Sequence, residues 1–428
     1  MIRRVKIQGY KSLKDIGVEL QPLTVIIGPN AAGKSNLFDA LGLLSRVVTS
    51  RTLSEAFKGH RGAPLEAFYY GDQGLRGLLA QPAVEFTIEL DVELSPKVVE
   101  AVERRIREVR EGLPEEGGAA GPSRRRVTES LLRYTLTVQI MVDSGYLRVK
   151  NERLVALNRD GTVNASRRAF IEPVEGRLRL RLEGQARPTE HEVGLDYTLV
   201  STPLYPPHYP HITAFKEELS RWRFYYFDPE TMRTETPLKE AENLGAFGAD
   251  LAAFYNTLKS RNPRQFQALN RAFRSLLPDV QRLDVERTPE GFLRLEVFED
   301  EVSFSARVIS EGTLRILGLL AITNPLAPTA VIGYEEPENG VHPRRLQLIA
   351  ELLQTAATEG KQILVNTHSP KLPEYFEPSS LVVCSKENAA TTFVPLRDLG
   401  PLFRAGQIER ALEETSLMER VLRGDFGG

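Results

Sequence analysis

Hydrophobic and polar positions follow two rhythms, one with the period of two of a strand and one with the period of a helix. Their order divides the chain. The opening Ile2-Arg3-Arg4-Val5-Lys6-Ile7 reads as a strand, Leu23 to Ile27 as a short apolar strand, Asn36 to Val48 as an amphipathic helix, and Val84 to Leu94 as an alternating strand. At Ser95 the character changes. A charged helical stretch, Val98 to Arg110, gives way to the Gly- and Pro-containing loop Glu111 to Ser123. Alternating strands follow at Tyr134 to Val142, Tyr146 to Leu157 and Leu178 to Leu182, and the proline-dense Thr202 to Pro210 excludes regular helix.

Beyond this point the pattern predicts a strand at Arg221 to Phe227, helices near Asp250 to Lys259 and Arg264 to Leu277, and a strand at Phe292 to Phe298. Helix Gly312 to Ile322, strand Ala330 to Tyr334, helix Pro343 to Glu359 and strand Gln362 to Asn366 then give the alternation that builds a parallel sheet. The expected organisation is a first core half over residues 1–94, an insertion over 95–220 and a second core half over 221–428. No internal repeat and no long heptad run interrupts it.

Composition narrows the class. The 428 residues are 41% hydrophobic and 26% charged with a mean hydropathy of -0.26, enough apolar material for a sizeable core. No apolar run reaches the roughly 18 residues needed to span a bilayer, and the first residues read as a strand rather than a signal peptide, so a cytoplasmic protein without a membrane partner is expected. The single cysteine, Cys384, forms no internal disulfide and suits packing in an apolar strand. A net charge of -2 leaves any nucleic-acid binding to local patches.

The strongest chemical signal is Gly28-Pro29-Asn30-Ala31-Ala32-Gly33-Lys34-Ser35, which fits G-x-x-x-x-G-K-[ST] between an apolar strand and an amphipathic helix. Glycines let backbone N–H groups curl around phosphates, and the helix N-terminus adds its positive dipole. Lys34 is placed to meet the β- and γ-phosphates of ATP, and the Ser35 hydroxyl to ligate Mg²⁺. Far downstream, the apolar Val331-Ile332-Gly333-Tyr334 delivers two adjacent carboxylates to the end of a strand. Glu335 is assigned to Mg²⁺ through water, and Glu336 to polarising the attacking water.

The segment Glu335-Glu336-Pro337-Glu338-Asn339-Gly340-Val341-His342-Pro343 resembles the Walker B and D-loop of the SMC/RecF/OLD-like branch of ABC ATPases. The opening Ile7 to Asp15, Asn30 and Asn36 around the P-loop lysine, the helix Leu37-Phe38-Asp39-Ala40-Leu41 and Thr367-His368-Ser369-Pro370 are similar to that branch too. So are Gly245 to Ala252 and Arg423 to Gly428. The resemblance implies a P-loop NTPase of α/β class, an ABC-type ATPase head with a mixed sheet, interrupted by a mainly β insertion with a short charged helix. It gives His368 the role of contacting the γ-phosphate, and Glu338, Asn339 and Gly340 that of the D-loop. Ser310-Glu311-Gly312-Thr313 is the best match to the signature, departing from Leu-Ser-Gly-Gly-Gln but keeping a hydroxyl, a close-approach glycine and a free helix N-terminus. In related proteins this element completes the other subunit's nucleotide pocket, which implies a homodimer closed around two ATP molecules. Gln73 is taken, ahead of Gln81, as the metal-side glutamine.

The resemblance suggests a DNA-associated ATPase in repair or in defence against foreign DNA, or alternatively a switch that restrains a separate effector such as a nuclease or toxin. Arg177, Arg179 and Arg181 share one strand face and form a basic ladder suited to phosphate backbone, which Arg104, Arg105, Arg107, Arg110 and Arg124 to Arg126 would extend. Interleaved Glu100, Glu103, Glu108 and Glu111 instead favour a solvated, ion-paired face. Trp222, Phe224, Tyr225, Tyr226 and Phe227 are read as core. OLD-type proteins carry a Toprim nuclease after the ATPase, but the stretch following His368 contains no Asp-x-Asp pair, so no nuclease is expected here.

Overall fold

A computed structural model describes residues 1–71, 73–111, 126–183, 187–277, 280–299, 302–387 and 389–398. Arg124, Arg125, most of the loop expected before Ser123 and the segment Arg423 to Gly428 lie outside them. Among the described residues the strands, numbered in chain order, form three sheets. The first is antiparallel, in the spatial order β2 (Leu13–Glu19), β1 (Ile2–Tyr10), β4 (Ala83–Glu93), β5 (Leu131–Met141), β6 (Leu147–Ala156), β7 (Ile171–Val174), β8 (Arg177–Leu180) and β9 (Thr189–Glu192). The second runs β10 (Trp222–Tyr225), β15 (Val331–Glu335), β16 (Gln362–Thr367), β3 (Leu23–Ile27), β17 (Leu381–Glu387) and β18 (Ala390–Pro395). Its first five strands are parallel and β18 is antiparallel to β17, so the sheet is mixed as expected. The third is small: β11 (Thr236–Pro237), β13 (Phe292–Glu299) and β12 (Arg282–Arg287), with β14 (Val302–Ser305) also pairing with β13.

The helices are α1 (Lys34–Thr49), α2 (Leu53–Phe57), α3 (Gly74–Leu79), α4 (Pro96–Glu111), α5 (Pro210–Ser220), α6 (Pro229–Met232), α7 (Leu251–Arg261), α8 (Pro263–Leu276), α9 (Glu311–Thr323) and α10 (Leu346–Thr358). The parallel strands are apolar on both faces because both are covered. Ile26, Val331, Leu364 and Val382 join the core shared with α1 and the antiparallel sheet. Their neighbours Val25, Ile27, Ile332, Ile363, Val365 and Val383 join the core under α7 to α10. The period of two thus divides each central strand between two hydrophobic layers.

β4 pairs with β5 in register from Ala83 with Met141 to Glu93 with Leu131. The boundary expected at residues 94 and 95 therefore falls between two strands of one sheet. Tyr134, Leu136 and Val138 share a core with Ile7 and Leu41, so strands read as an insertion extend the first sheet. The charged helix is α4, whose Val98, Val102 and Ile106 are buried at a spacing of four, each burial favouring folding by about 1.5–3 kcal/mol. The pattern alone did not mark α5, which begins at Pro210 where the proline run ends. Its buried face includes His211 and Glu218, polar residues that break the apolar period. Glu218 accepts from the backbone N–H and hydroxyl of Ser95, and His211 pairs with Glu183 at 2.6 Å.

Candidate functional site

In an open parallel sheet, loops at the carboxyl ends of the strands meet along one edge. Here β3 delivers the P-loop, β15 delivers Glu335 and Glu336, and β16, lying between them, delivers Thr367 and His368. Topology thus gathers residues that are far apart in the chain.

Gly28 follows β3 so closely packed on β17 that a Cβ there would stand 2.1 Å from the Cys384 carbonyl oxygen. Pro29 is half-buried, and Asn30 and Ala31 are exposed. Ala31 has φ 64° and Gly33 φ 102°, so the loop passes twice through left-handed backbone, which costs a non-glycine residue about 1 kcal/mol or more. Ala32 between them is buried. Lys34 opens α1 and folds back over the loop, donating from Nζ to Gly28 O at 2.8 Å and Pro29 O at 2.9 Å. Burial lowers its pKa, while the carboxylates of Glu336, Glu338 and Glu335 oppose that shift.

The Ser35 hydroxyl donates to Glu335 Oε2 at 2.8 Å. Arg61 Nη2 donates to the other oxygen, Oε1, at 3.2 Å. Burial raises the pKa of Glu335, and Arg61 and Ser35 pull it back. No cluster of three His, Cys, Asp or Glu side chains suited to a metal occurs among the described residues. A hydroxyl and one carboxylate nevertheless fit Mg²⁺, which keeps several waters and takes its remaining oxygens from substrate phosphates. Beside them both polar atoms of the buried Asn366 side chain lack a protein partner among the described residues, as does Glu338 Oε2. Such buried orphans fit a site that receives a polar ligand. Bound there, Mg²⁺ would supply charge to offset that of the phosphates.

Glu336 has φ 50°, a left-handed turn immediately after the strand, and its N–H still donates to Asn366 O at 2.9 Å. The turn separates its carboxylate from that of Glu335. Asn339 Nδ2 donates to Glu336 Oε2, and His368 Nδ1 lies 3.4 Å from Glu336 Oε1 and 3.6 Å from Glu338 Oε1. At neither separation does Nδ1 make a hydrogen bond. Glu338 Oε1 gathers the Thr367 hydroxyl, the His368 N–H at 3.2 Å and the Ser369 N–H at 3.1 Å. One carboxylate therefore fastens the loop that carries His368.

Ser310 caps α9, accepting from Thr313 N–H at 3.2 Å, with Ser310 and Glu311 exposed and Thr313 half-buried. Gly312 lies against Gly340: a Cβ on Gly312 would stand 2.9 Å from Gly340 O. Signature and D-loop candidates thus adjoin each other on an exposed surface. Gln73 is placed elsewhere. It is exposed at the start of α3 with its side chain turned over Gly77, and is not among the partners of Ser35 or Glu335.

Arg61, which reaches Glu335 from that part of the chain, was not singled out by sequence. Its guanidinium lies 5.8 Å from the Tyr226 ring, and the preceding His60 is anchored 3.1 Å from both Tyr10 OH and Asp39 Oδ2. Burial alone would raise the Asp39 carboxyl, but His60 and Lys11 hold it well below the usual range. The segment of Arg61 after α2 has ordinary composition and carries no local signal beyond the adjacent His60. The basic ladder is ion-paired: Arg177 and Arg179 share Glu190 at 3.4 and 3.3 Å, and Arg181 pairs with Glu172 at 3.2 Å. Trp222, Tyr225 and Phe227 are buried, as expected of core.

Residues 1–100 match the family described as AAA ATPase domain, and residues 189–372 the family described as AAA domain, putative AbiEii toxin, Type IV TA system. The fold is similar to an SMC head bound to the C-terminal winged-helix domain of ScpA, with TM-score 0.54 and 11% identity over 92% of this chain and 96% of that one. It is also similar to an SMC head with an extended coiled coil bound to the C-terminal domain of ScpA from Pyrococcus furiosus, with TM-score 0.52 and 12% identity over 96% and 99%. The chain has the P-loop NTPase fold seen in SMC heads. An OLD nuclease from Thermus scotoductus is 41% identical over 44 residues, a match spanning 10% of this chain and 8% of that protein. No helix among the described residues is long and apolar enough to cross a membrane.

Proposed function

We propose that the chain binds ATP with Mg²⁺ at Gly28 to Asn36 and hydrolyses it, using Glu336 as the water-directing carboxylate and His368 as the γ-phosphate contact. The supporting observation is the convergence of Ser35, Glu335, Glu336 and His368 on one sheet edge. Lys34 is held by loop carbonyls until phosphate oxygens replace them, and Ser35 with Glu335 holds the metal. Glu336, steadied by Asn339, accepts a proton from the attacking water as it approaches the γ-phosphorus. The segment Ser310 to Thr313, exposed at Ser310 and Glu311 and packed by Gly312 against Gly340, faces the nucleotide of a second copy in a head-to-tail dimer. The test is ATP turnover and dimerisation of the protein beside Glu336→Gln. Equal turnover by the two would remove Glu336 from its role.

The leading cellular reading is a DNA-associated role in repair or defence, supported by the likeness to SMC heads and the OLD nuclease match. The ion-paired ladder at Arg177, Arg179 and Arg181 favours a second reading, in which ATP governs a separate effector. The family description naming a toxin–antitoxin system supports this alternative too. Turnover with and without duplex DNA across salt concentrations separates them. DNA stimulation that weakens with salt supports the first, and its absence leaves the second.

A further inference from the structure

We propose that Thr391 is a positioning residue for the phosphate cradle, acting through a directional hydrogen-bond relay that fixes the peptide between Ala32 and Gly33. The inference rests on the ATP-binding reading. Thr391 lies on β18, at the far end of the chain from the P-loop, yet its hydroxyl donates to Ala32 O at 2.8 Å. Its oxygen lies 2.6 Å from Ser12 Oγ, and Asn36 Nδ2 donates to Ser12 Oγ at 2.7 Å.

Proton bookkeeping sets the direction. A hydroxyl has one proton to give. Thr391 gives its own to Ala32 O, so it accepts from Ser12, whose oxygen in turn accepts from the Asn36 amide. The relay therefore runs from Asn36 through Ser12 and Thr391 to Ala32, each donor strengthening the next. Backbone pairing holds it in place, since Thr391 N–H donates to Ser12 O at 2.9 Å.

The consequence lies across the peptide plane. A trans peptide points its N–H opposite its carbonyl oxygen. Anchoring Ala32 O toward Thr391 thus aims the Gly33 N–H away from β18, which holds one of the loop's amides in a single orientation before any anion arrives. This control matters because the peptide lies just after the left-handed Ala31 and leads into Gly33, which sits at positive φ with no Cβ to check its backbone freedom. The relay also packs directly on the loop: a Cβ at Gly33 would stand 2.1 Å from Thr391 Oγ1 and 2.6 Å from Ser12 Oγ. With Gly28 pressed on Cys384, the β17–β18 hairpin braces both P-loop glycines.

The experiment measures Kd for MgATP by titration calorimetry, together with KM and kcat, for the protein and for Thr391→Val, Thr391→Ser and Ser12→Ala. Thr391→Val keeps shape and loses the hydroxyl, so Kd and KM rise about tenfold while kcat at saturating ATP changes little. Thr391→Ser restores the donor and returns Kd to within about twofold, which a purely packing role for the threonine methyl would not do. Ser12→Ala removes the middle of the relay and gives an intermediate rise of about threefold. Thr391→Val that melts as the parent does yet binds ATP within about twofold overturns the relay. Should Thr391→Val not fold, unchanged affinity in Ser12→Ala overturns it instead. A parent protein that binds no ATP defeats the ATP reading itself, a result distinct from a parent that binds and a Thr391→Val that binds equally.

Discussion

The Ser35 hydroxyl and Glu335 Oε2 lie 2.8 Å apart, joining the first turn of α1 to the end of β15 across 300 residues of sequence. With Arg61 on its other oxygen, Glu335 is a buried carboxylate whose charge is already matched. Replacing it by Gln keeps the shape and removes the charge. Glu335→Gln is expected to raise the Mg²⁺ concentration that half-saturates turnover by about tenfold or more, because a neutral amide is a poor partner for a hard cation. A Mg²⁺ titration at fixed ATP reads this directly, and an unchanged midpoint would remove Glu335 from the metal side.

Lys34 and Glu336 should separate binding from chemistry. Lys34 touches the loop that meets the phosphates, so Lys34→Ala is expected to lose ATP affinity itself. Glu336→Gln keeps the left-handed turn and the contact with Asn339 while losing the base, so turnover falls about 100-fold or more with ATP still bound. The bound, uncleaved nucleotide should hold the dimer, visible as an ATP-dependent shift in gel filtration. Hydrolysis at the parental rate would sink the assignment.

The parts of this site legible in the sequence are those written locally. A P-loop between strand and helix and two carboxylates ending an apolar strand each carry their chemistry within ten residues or so, the length over which turn and cap rules operate. Arg61 and Thr391 act through tertiary approach: each lies in a short segment of ordinary composition, and only the sheet order brings it to the loop. The same limit explains the expected boundary after Leu94. A change of composition marked it, but β5 returns to pair with β4 along its whole length, and pairing between distant strands leaves no local trace. Which carboxylates pair with Arg177, Arg179 and Arg181 was hidden for the same reason, since Glu190 and Glu172 face them only across the sheet.

Glu338 is expected to act through the loop it fastens. Its Oε1 takes three donors from Thr367, His368 and Ser369, and truncation leaves the Thr367 hydroxyl and the His368 N–H unmatched, while the Ser369 N–H keeps Thr367 Oγ1 at 2.9 Å. Glu338→Ala should therefore destabilise the fold by about 1–3 kcal/mol, read by chemical denaturation. With His368 released, kcat should fall about tenfold or more while Kd for ATP moves little. A large loss of affinity with unchanged kcat would place Glu338 on the binding side instead.

The head-to-tail arrangement can be tested by mixing two inactive proteins. Lys34→Ala lacks a competent P-loop and Ser310→Arg lacks a competent signature, but a mixed dimer joins the intact P-loop of one to the intact signature of the other. Random exchange then restores about a quarter of the sites, whereas each variant alone stays inactive. No recovery from a mixture shown to exchange subunits would argue that each site is complete within one chain.

Glu152 gives the protein a pH dependence away from the nucleotide. It is fully buried on β6, accepting from the Tyr134 hydroxyl at 2.9 Å and from the Leu199 and Val200 N–H groups at 2.6 and 3.1 Å. Burial raises its pKa to about 7, even though these three donors favour the charged form. The folded state therefore binds a proton that the unfolded chain releases near the ordinary carboxyl value of about 4.5. With more protons bound when folded, stability falls as pH rises between those two values, by at most about 1.4 kcal/mol per pH unit for one group. Glu152→Gln cannot titrate and should lose this component. The difference in Tm between parent and variant should change steadily from pH 5 to pH 7 and flatten above it, to the parent's disadvantage. A difference that stays constant across the range would show that Glu152 keeps its charge throughout, held by Tyr134 and the two amides against the cost of burial.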